Sequence, residues 1–336
     1  MEQPFVSVIV LNWNGLRHLQ VVLTSLERQT YPRDRFEIIF ADNGSTDNSV
    51  TFVRSNFPNI NIVLFDKNYG FAEGNNLAVD HAKGEVLALL NNDTEADPDW
   101  LRYLVDEYVK HPDALFGSQA YQFDRRNVSA NSLMKLMAWG VPTNVNVFLP
   151  REKIPQDTVH TFYADAAGML INKQLFLDLG GFNRSYFAYE EEKDLSWKAW
   201  IFGHPCYLVP RSVYYHKSGA TLGQNSTRAL YLLWRNGLQN IIKYPEASAV
   251  LRYLFLHIGY SIGTFFKIFI PMHRTKNGWS ILSAYGYVLV RLPQLLRIRK
   301  NIQSKRIVSD AHLASLGLIL NLQNSLTFVR DFLQRR

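Results

Sequence analysis

Residues 1–224 read as an α/β unit built on a parallel sheet, and residues 225–336 as a basic helical extension. Three observations predict this. Short apolar runs alternate with helix-patterned stretches in the first part, the order that folds as strand–helix–strand units. A polar cluster follows each strand candidate, and the carboxyl ends of such strands are where open α/β sheets bind ligands. Charge is also divided: residues 1–224 hold 20 Lys and Arg against 26 Asp and Glu, net −6, and residues 225–336 hold 16 against 3, net +13.

Taken in order, residues 6–11 (VSVIVL) form a β-branched run suited to a strand buried on both faces. Leu16, Leu19, Val22, Leu23 and Leu26 set a helical stripe over 16–29. Strands are expected at 36–41, 61–65 and 85–90, with helices at 49–56, 74–82 and 99–110 between and after them. Residues 115–155 lose this rhythm and read as a variable insert with a short helix around 132–139. Regularity returns with a strand at 164–171, then a helix at 173–179 stopped by Gly180-Gly181. A helical stretch at 187–202 and a short strand at 206–209 follow.

Past Gly223 an amphipathic helix is expected, with Leu230, Leu233, Trp234, Leu238, Ile241 and Ile242 on one face and Arg235, Asn236, Gln239 and Lys243 opposite. Residues 253–266 and 277–290 are each uncharged, but shorter than the ~20 residues of a spanning helix. Asn321, Gln323 and Asn324 interrupt the longer apolar run at 311–329. Arg252, Lys267, Arg274, Lys276, Arg291, Arg297, Arg299, Lys300, Lys305 and Arg306 edge these runs. The pattern fits helices lying on an anionic membrane surface, each basic residue adding about 1 kcal/mol. The alternative is a helical subdomain packed on the first part. Nucleic acid is not expected as a partner, since no binding motif accompanies the charge.

Composition narrows the rest. Hydrophobic residues at 47% and charged residues at 19% exclude a disordered chain. Cys206 is the only cysteine, which excludes a disulfide framework and a cysteine-based zinc site. No secretory signal pattern precedes the first strand, so a cytoplasmic location is expected. Neither a Gly-x-Gly-x-x-Gly turn, nor a P-loop, nor a Gly-x-Ser-x-Gly elbow follows any strand, and the corresponding chemistries drop out.

Four clusters can carry chemistry. Asp42-Asn43-Gly44-Ser45-Thr46-Asp47 follows the second strand; Asp42 can accept a hydrogen bond from the N3–H of uracil or thymine, or the segment is an Asx turn and N-cap. Asn91-Asn92-Asp93 ends the fourth strand, where a carboxylate can hold Mg2+ or Mn2+ with substrate phosphates, or simply shape a turn. Glu190, Glu191, Glu192 and Asp194 crowd a helix start. They complement its dipole, and like-charged neighbours beside tryptophans also raise a carboxyl toward the range of a general base. His216 is a candidate metal or phosphate ligand, or a structural histidine.

The ordered set of segments VSVIVLNWNG (6–15), ADNGSTDNS (41–49), DKNYGFAEGNN (66–76), LLNNDTEADPDWL (89–101), AGMLINKQLFLDLGGF (167–182), YEEEKDLSWKA (189–199) and YYHKSGAT (214–221) resembles a family 2 glycosyltransferase with a GT-A fold. Its subgroup is similar to rhamnosyl- and galactofuranosyl-type transferases of surface polysaccharide assembly. The resemblance implies a Rossmann-like mixed sheet, a UDP- or dTDP-sugar donor and a lipid-linked or growing glycan acceptor at the cytoplasmic face of the membrane. By the same resemblance Leu11, Asn12, Asn14 and Asp42 line the base pocket, and Asn68, Gly70, Asn75, Asn91 and Asn92 lie along the nucleotide-sugar. Asp93 and His216 hold Mg2+ or Mn2+. Glu192 takes the place of the base in an inverting transfer, with Glu191 and Asp194 beside it. The chain departs from the family pattern where Asn91 replaces the first acid of Asp-x-Asp, Glu192 stands for Asp, and Lys198 for Arg. A sugar nucleotidyltransferase would need a Gly-rich basic loop after the first strand, which Asn12-Trp13-Asn14-Gly15 is not. A sugar-nucleotide-binding scaffold without activity is the remaining reading.

Overall fold

The computed structural model describes residues 3–124, 126–217, 226–266 and 275–335. The first half alternates as read: β1 (Val6–Asn12), α1 (Leu16–Glu27), β2 (Phe36–Asp42), α2 (Ser49–Asn56), β3 (Asn61–Leu64), α3 (Gly70–Val79), β4 (Val86–Leu90), the short β5 (Thr94–Ala96) and α4 (Trp100–Tyr108). Next come β6 (Leu115–Gln122), β7 (Ser129–Asn131), β8 (Met134–Leu136), β9 (Pro142–Asn144), β10 (Val159–His160), β11 (Gly168–Asn172), α5 (Lys173–Asp178), α6 (Glu191–Ile201) and β12 (Cys206–His216). The remainder is helical: α7 (Thr227–Lys243), α8 (Ala247–Thr264), α9 (Thr275–Val290), α10 (Leu292–Gln303), α11 (Asp310–Ser315) and α12 (Leu322–Arg335).

The ten-stranded sheet runs β10-β12-β6-β11-β4-β1-β2-β3, with β5 added to β12 and β7 to β6. Strands β4, β1, β2 and β3 are mutually parallel. Strand β11 lies antiparallel between β4 and β6 and makes the sheet mixed, as the family resemblance implies. Alternation along the central strands divides the core between the two faces. Val8 and Val10 of β1 meet α1, α2 and α4 on one face, while Ile9 meets α3, α5, α6 and the C-terminal helices on the other.

Several boundaries move, each for a tertiary reason. No helix forms at 132–139: Met134–Leu136 and Pro142–Asn144 pair as a hairpin, and Leu136 also bonds the backbone of Leu318 and Leu320. A partner strand and the C-terminal tail outcompete a weak helical pattern. The strand expected at 206–209 runs on to His216, because a register shift between Val209 and Val213 absorbs Pro210. Helix α3 begins at Gly70 rather than at 74, and α6 begins only at Glu191.

Helix α7 is buried on both faces. Leu230, Leu238, Ile241 and Ile242 are buried as expected, and Arg235, Asn236, Gln239 and Lys243 are buried as well instead of facing solvent. Arg299 and Arg306, read as lipid-facing, turn inward to bond the carbonyls of Ile242, Lys243 and Tyr244 at the C-terminus of α7. The expected boundary at 224/225, Lys267 and Arg274 lie outside the described residues. Among the described residues no helix is long and apolar enough to cross a membrane.

Candidate active site

Chain order reverses between β1 and β4, so their carboxyl ends open a crevice, and the strand-end clusters lie around it. Asn12, at the end of β1, and Asp42, opposite it on β2, are both buried. Asn12 donates from Nδ2 to Asp42 Oδ1 (3.3 Å) and to Ser45 Oγ (3.2 Å), and its own Oδ1 accepts from Asn92 Nδ2 (2.8 Å). The Ser45 amide donates to Asp42 Oδ2 (2.9 Å). Asn14, at φ 50°, accepts the Thr46 amide (2.8 Å) and ties down the same turn. Gly15 is required here, since a Cβ would lie 2.3 Å from both Asn12 Oδ1 and Asn92 Nδ2.

The next wall is the 66–76 segment. Asn68 Oδ1 accepts the Gly70 amide (2.8 Å), an Asx turn leading into α3, and Asn43 Nδ2 (3.1 Å). Leu11 packs beneath this helix, within 3.0 Å of where a Cβ on Gly74 would stand. Asn75 is buried in α3 and donates from Nδ2 to Phe71 O (2.9 Å) within the helix.

Strand register brings Asp93 to His216. Pairing of Thr94 with His216 across β5 and β12 sets the two side by side, His216 Nε2 lying 3.1 Å from Asp93 Oδ1. Burial opposes charge on the His216 imidazole, but its hydrogen bond to Asp93, then the charges of Asp93 and Asp165, hold it above the ordinary histidine range. Burial likewise opposes ionisation of Asp93, and the His216 hydrogen bond and charge hold its carboxyl below the ordinary range. Nδ1 of His216 is buried without a partner among the described residues. No three His, Cys, Asp or Glu side chains converge among those residues. Asp93 Oδ1 and the imidazole nitrogen that faces it, His216 Nε2, fit two adjacent ligands of a divalent cation that takes its remaining ligands from a diphosphate and water; Nδ1, across the ring, is not part of that site. Asn91 and Asn92 flank Asp93, Asn91 through its backbone amide to Ala167 O (3.2 Å). Residues 218–221 of the last motif lie outside the described residues.

The acidic cluster separates into four environments. Glu190 is buried and bonded to Lys193 Nζ at 2.5 Å. Glu191 is buried with Oε2 unpartnered; burial first, then Glu192, pushes its carboxyl well above the ordinary range. Glu192 is only partly buried, and burial, with Asp165 and Glu190 opposing the pull of Lys193, pushes it up to about 7. Asp194 accepts from Lys243 and Tyr244 (2.7 Å) and is 1% exposed.

Asp165 was not singled out from the sequence. It is bonded by Asn131 and by the Ala167 amide (3.0 Å), and its charge acts on both Glu192 and His216, linking the two halves of the crevice. A lone acid in the otherwise apolar FYADAAGML (162–170) was the available signal.

The profile of the family described as Glycosyl transferase family 2 matches residues 7–180, just over half of the chain. The chain belongs to this family. Glycosyltransferase AglE of Haloferax volcanii is 32% identical over 101 residues, which cover 29% of this chain, and the chain spans only 33% of that relative. N-acetylglucosaminyl-diphospho-decaprenol L-rhamnosyltransferase of Mycobacterium tuberculosis is 23% identical over 238 residues, covering 64% of this chain and 76% of that protein. S. aureus TarS 1–349, crystallised with UDP-GlcNAc, superposes with TM-score 0.58 at 16% identity, covering 98% of this chain and 92% of that one. The Pyrobaculum calidifontis mannosyltransferase PcManGT, crystallised with GDP-Man and Mn2+, gives 0.56 at 17%, covering 94% and 85%. At these identities the superpositions establish the fold, which is GT-A with a helical C-terminal part.

Proposed function

We propose that this family 2 member is an inverting glycosyltransferase that moves a sugar from a UDP- or dTDP-sugar to a hydroxyl of a lipid-linked or growing glycan. The observation that carries this reading is one crevice edged by a strand-end carboxylate in an amide network (Asp42), a carboxylate–imidazole pair (Asp93 and His216) and a raised, partly accessible carboxyl (Glu192). The relatives named as sugar transferases support it.

Asp42 and Asn12 hold the pyrimidine edge, with Leu11 and Asn14 shaping the pocket. Asn68, Gly70, Asn91 and Asn92 border the nucleotide-sugar, and Asn75 acts only from within α3. Asp93 and His216 would hold Mg2+ or Mn2+, whose charge offsets the negative charge developing on the leaving diphosphate. Glu192 accepts the proton of the acceptor hydroxyl while its oxygen bonds the anomeric carbon, and the bond from that carbon to the diphosphate oxygen breaks on the opposite side. Glu191, deeper and unpartnered, is itself pushed up by burial and by Glu192 and holds its proton beside the base; Asp194 is a structural anion committed to Lys243. Membrane contact on the cytoplasmic side completes the proposal, supported by the exposed Leu251, Phe255, Ile258 and Ile262 along α8 and by the exposed Arg252, Arg291, Arg297 and Lys300.

The test is a thermal-shift panel of nucleotide-sugars with and without Mn2+, followed by transfer assays. UDP or dTDP compounds should raise the unfolding temperature, more so with metal. No response to any of them would refute the base-pocket assignment. Glu192→Gln should lose transfer while donor binding persists, and retained turnover would sink the assignment of the base.

A further inference from the structure

Residues 185–190, which lead into Glu191 and Glu192, are held in a conformation that their side chains do not favour. Phe187, Tyr189 and Glu190 all have positive φ (66°, 68° and 73°), and none is glycine. Non-glycine residues persist there only when their surroundings over-determine the backbone. The surroundings are supplied chiefly by α7. Asn236, fully buried, donates from Nδ2 to the carbonyls of Tyr186 (3.2 Å), Ala188 (3.1 Å) and Tyr189 (2.8 Å). Arg235 bonds the carbonyls of Ser185 (2.9 Å) and Tyr186 (2.8 Å), and its Nε donates to Asn236 Oδ1 (2.8 Å), which orients the amide. Asn240 Nδ2 reaches Glu190 O (3.4 Å). The remaining carbonyl, Phe187 O, accepts the amides of Phe71 (2.5 Å) and Ala72 (3.2 Å) at the start of α3.

Each carbonyl from 185 to 190 is therefore met by a side chain of α7 or by the backbone at the start of α3, with Tyr186 O and Glu190 O also accepting the amides of Ala188 and Asp194 (both 2.8 Å). We infer that Asn236 is a positioning residue: by clamping three carbonyls of this strained turn it sets where the first turn of α6 presents Glu192. The inference rests on the assignment of Glu192 as base. It gives α7 a part in the chemistry through the 185–190 turn.

The experiment is a double-mutant cycle on the full chain, comparing wild type, Asn236→Ala, Glu192→Gln and the double variant. Asn236→Ala should lower kcat by about 10- to 100-fold, the order of loss that a misplacement near 1 Å brings, with donor KM and donor-induced thermal shift unchanged. Amide hydrogen exchange should speed up in 184–192 and not elsewhere. In the Glu192→Gln background Asn236→Ala should cost nothing further, because its effect passes through Glu192. Asn236→Gln, which keeps the amide donor, should recover part of the rate. If Asn236→Ala does not accumulate as folded protein, Asn236→Ser takes its place in the cycle. A folded variant with kcat within about twofold of wild type overturns the inference. So does an additive loss in the double variant, or an equal loss of donor affinity and kcat. Glu192→Gln retaining the wild-type rate would instead fell the base assignment, a result visible without any Asn236 variant.

Discussion

At the residue scale, neighbouring acids of one helix turn end in opposite electrostatic states. Burial raises the Glu192 carboxyl, and Asp165 and Glu190 oppose the pull of Lys193, so its proton is released only near pH 7. A base must be deprotonated to act, so kcat should rise with pH through a limb near 7 and fall below it; a flat profile from pH 5 to 8 would contradict this. The limb belongs to the coupled Glu191–Glu192 pair. The stability sign is the reverse. A carboxyl whose pKa is raised on folding favours the folded state below its unfolded value, near 4.5, and that contribution is lost as pH climbs to about 7. Glu192→Gln should accordingly be about 1–3 kcal/mol more stable than wild type at pH 8, read by urea unfolding. Asp194 behaves oppositely: burial resists its charge, but Lys243 and Lys198 hold its carboxyl low. Asp194→Asn strands a buried ammonium and should cost about 3–5 kcal/mol in the same measurement.

At the element scale, much was legible because it is local. The β-branched run at 6–11, the apolar run at 86–90, the α1 stripe, and the Gly180-Gly181 stop at positive φ all follow from nearest-neighbour sterics and periodicity. The 132–139 segment was misread because its β state depends on pairing with residues 142–144 and 318–320. The end of β12 was misread because Pro210 reads as a strand stop, whereas the bulge spans it. Gly70 shows how closely elements approach near the site: at φ 84° its Cβ would lie 2.4 Å from Phe187 O. Gly70→Ala should therefore displace α3 from the 185–190 turn and weaken donor binding at least tenfold by calorimetry, while circular dichroism stays near wild type.

At the scale of the whole molecule, the charge division acquires a shape. Ile241, Tyr244, Tyr253, Ile302, Leu313 and Leu318 share one core with Ile9, Leu87 and Leu89, so the C-terminal helices are built onto the sheet and do not hang from it. Their outer side is different: Leu251 is 77% exposed, Phe255 76% and Trp279 68%. Apolar side chains this exposed along helices edged by arginine and lysine are costly in water and suit a lipid interface. The protein should float with vesicles containing phosphatidylglycerol and less with phosphatidylcholine alone. Replacing Leu251, Phe255 and Trp279 with serine should abolish flotation without lowering the unfolding temperature; self-association in place of flotation would point to a second copy on that face.

The sequence by itself determined where polar side chains emerge from the sheet, because alternation and turn chemistry act over a few residues. Asn12, Asp42 and Asp93 were identifiable for that reason. It also determined the acid-rich and base-rich halves, a matter of counting. Only the tertiary structure decided which of those groups meet. His216 reaches Asp93 across 123 positions through the register of β5 on β12, and Asp194 is withdrawn from its acidic neighbours by a lysine 49 positions away. Asn236 likewise faces inward because a turn of strained carbonyls needs donors there more than solvent does. Helical periodicity places its side chain relative to its neighbours on α7, but that this polar face is buried along with the apolar one is set by the hydrogen bonds awaiting it.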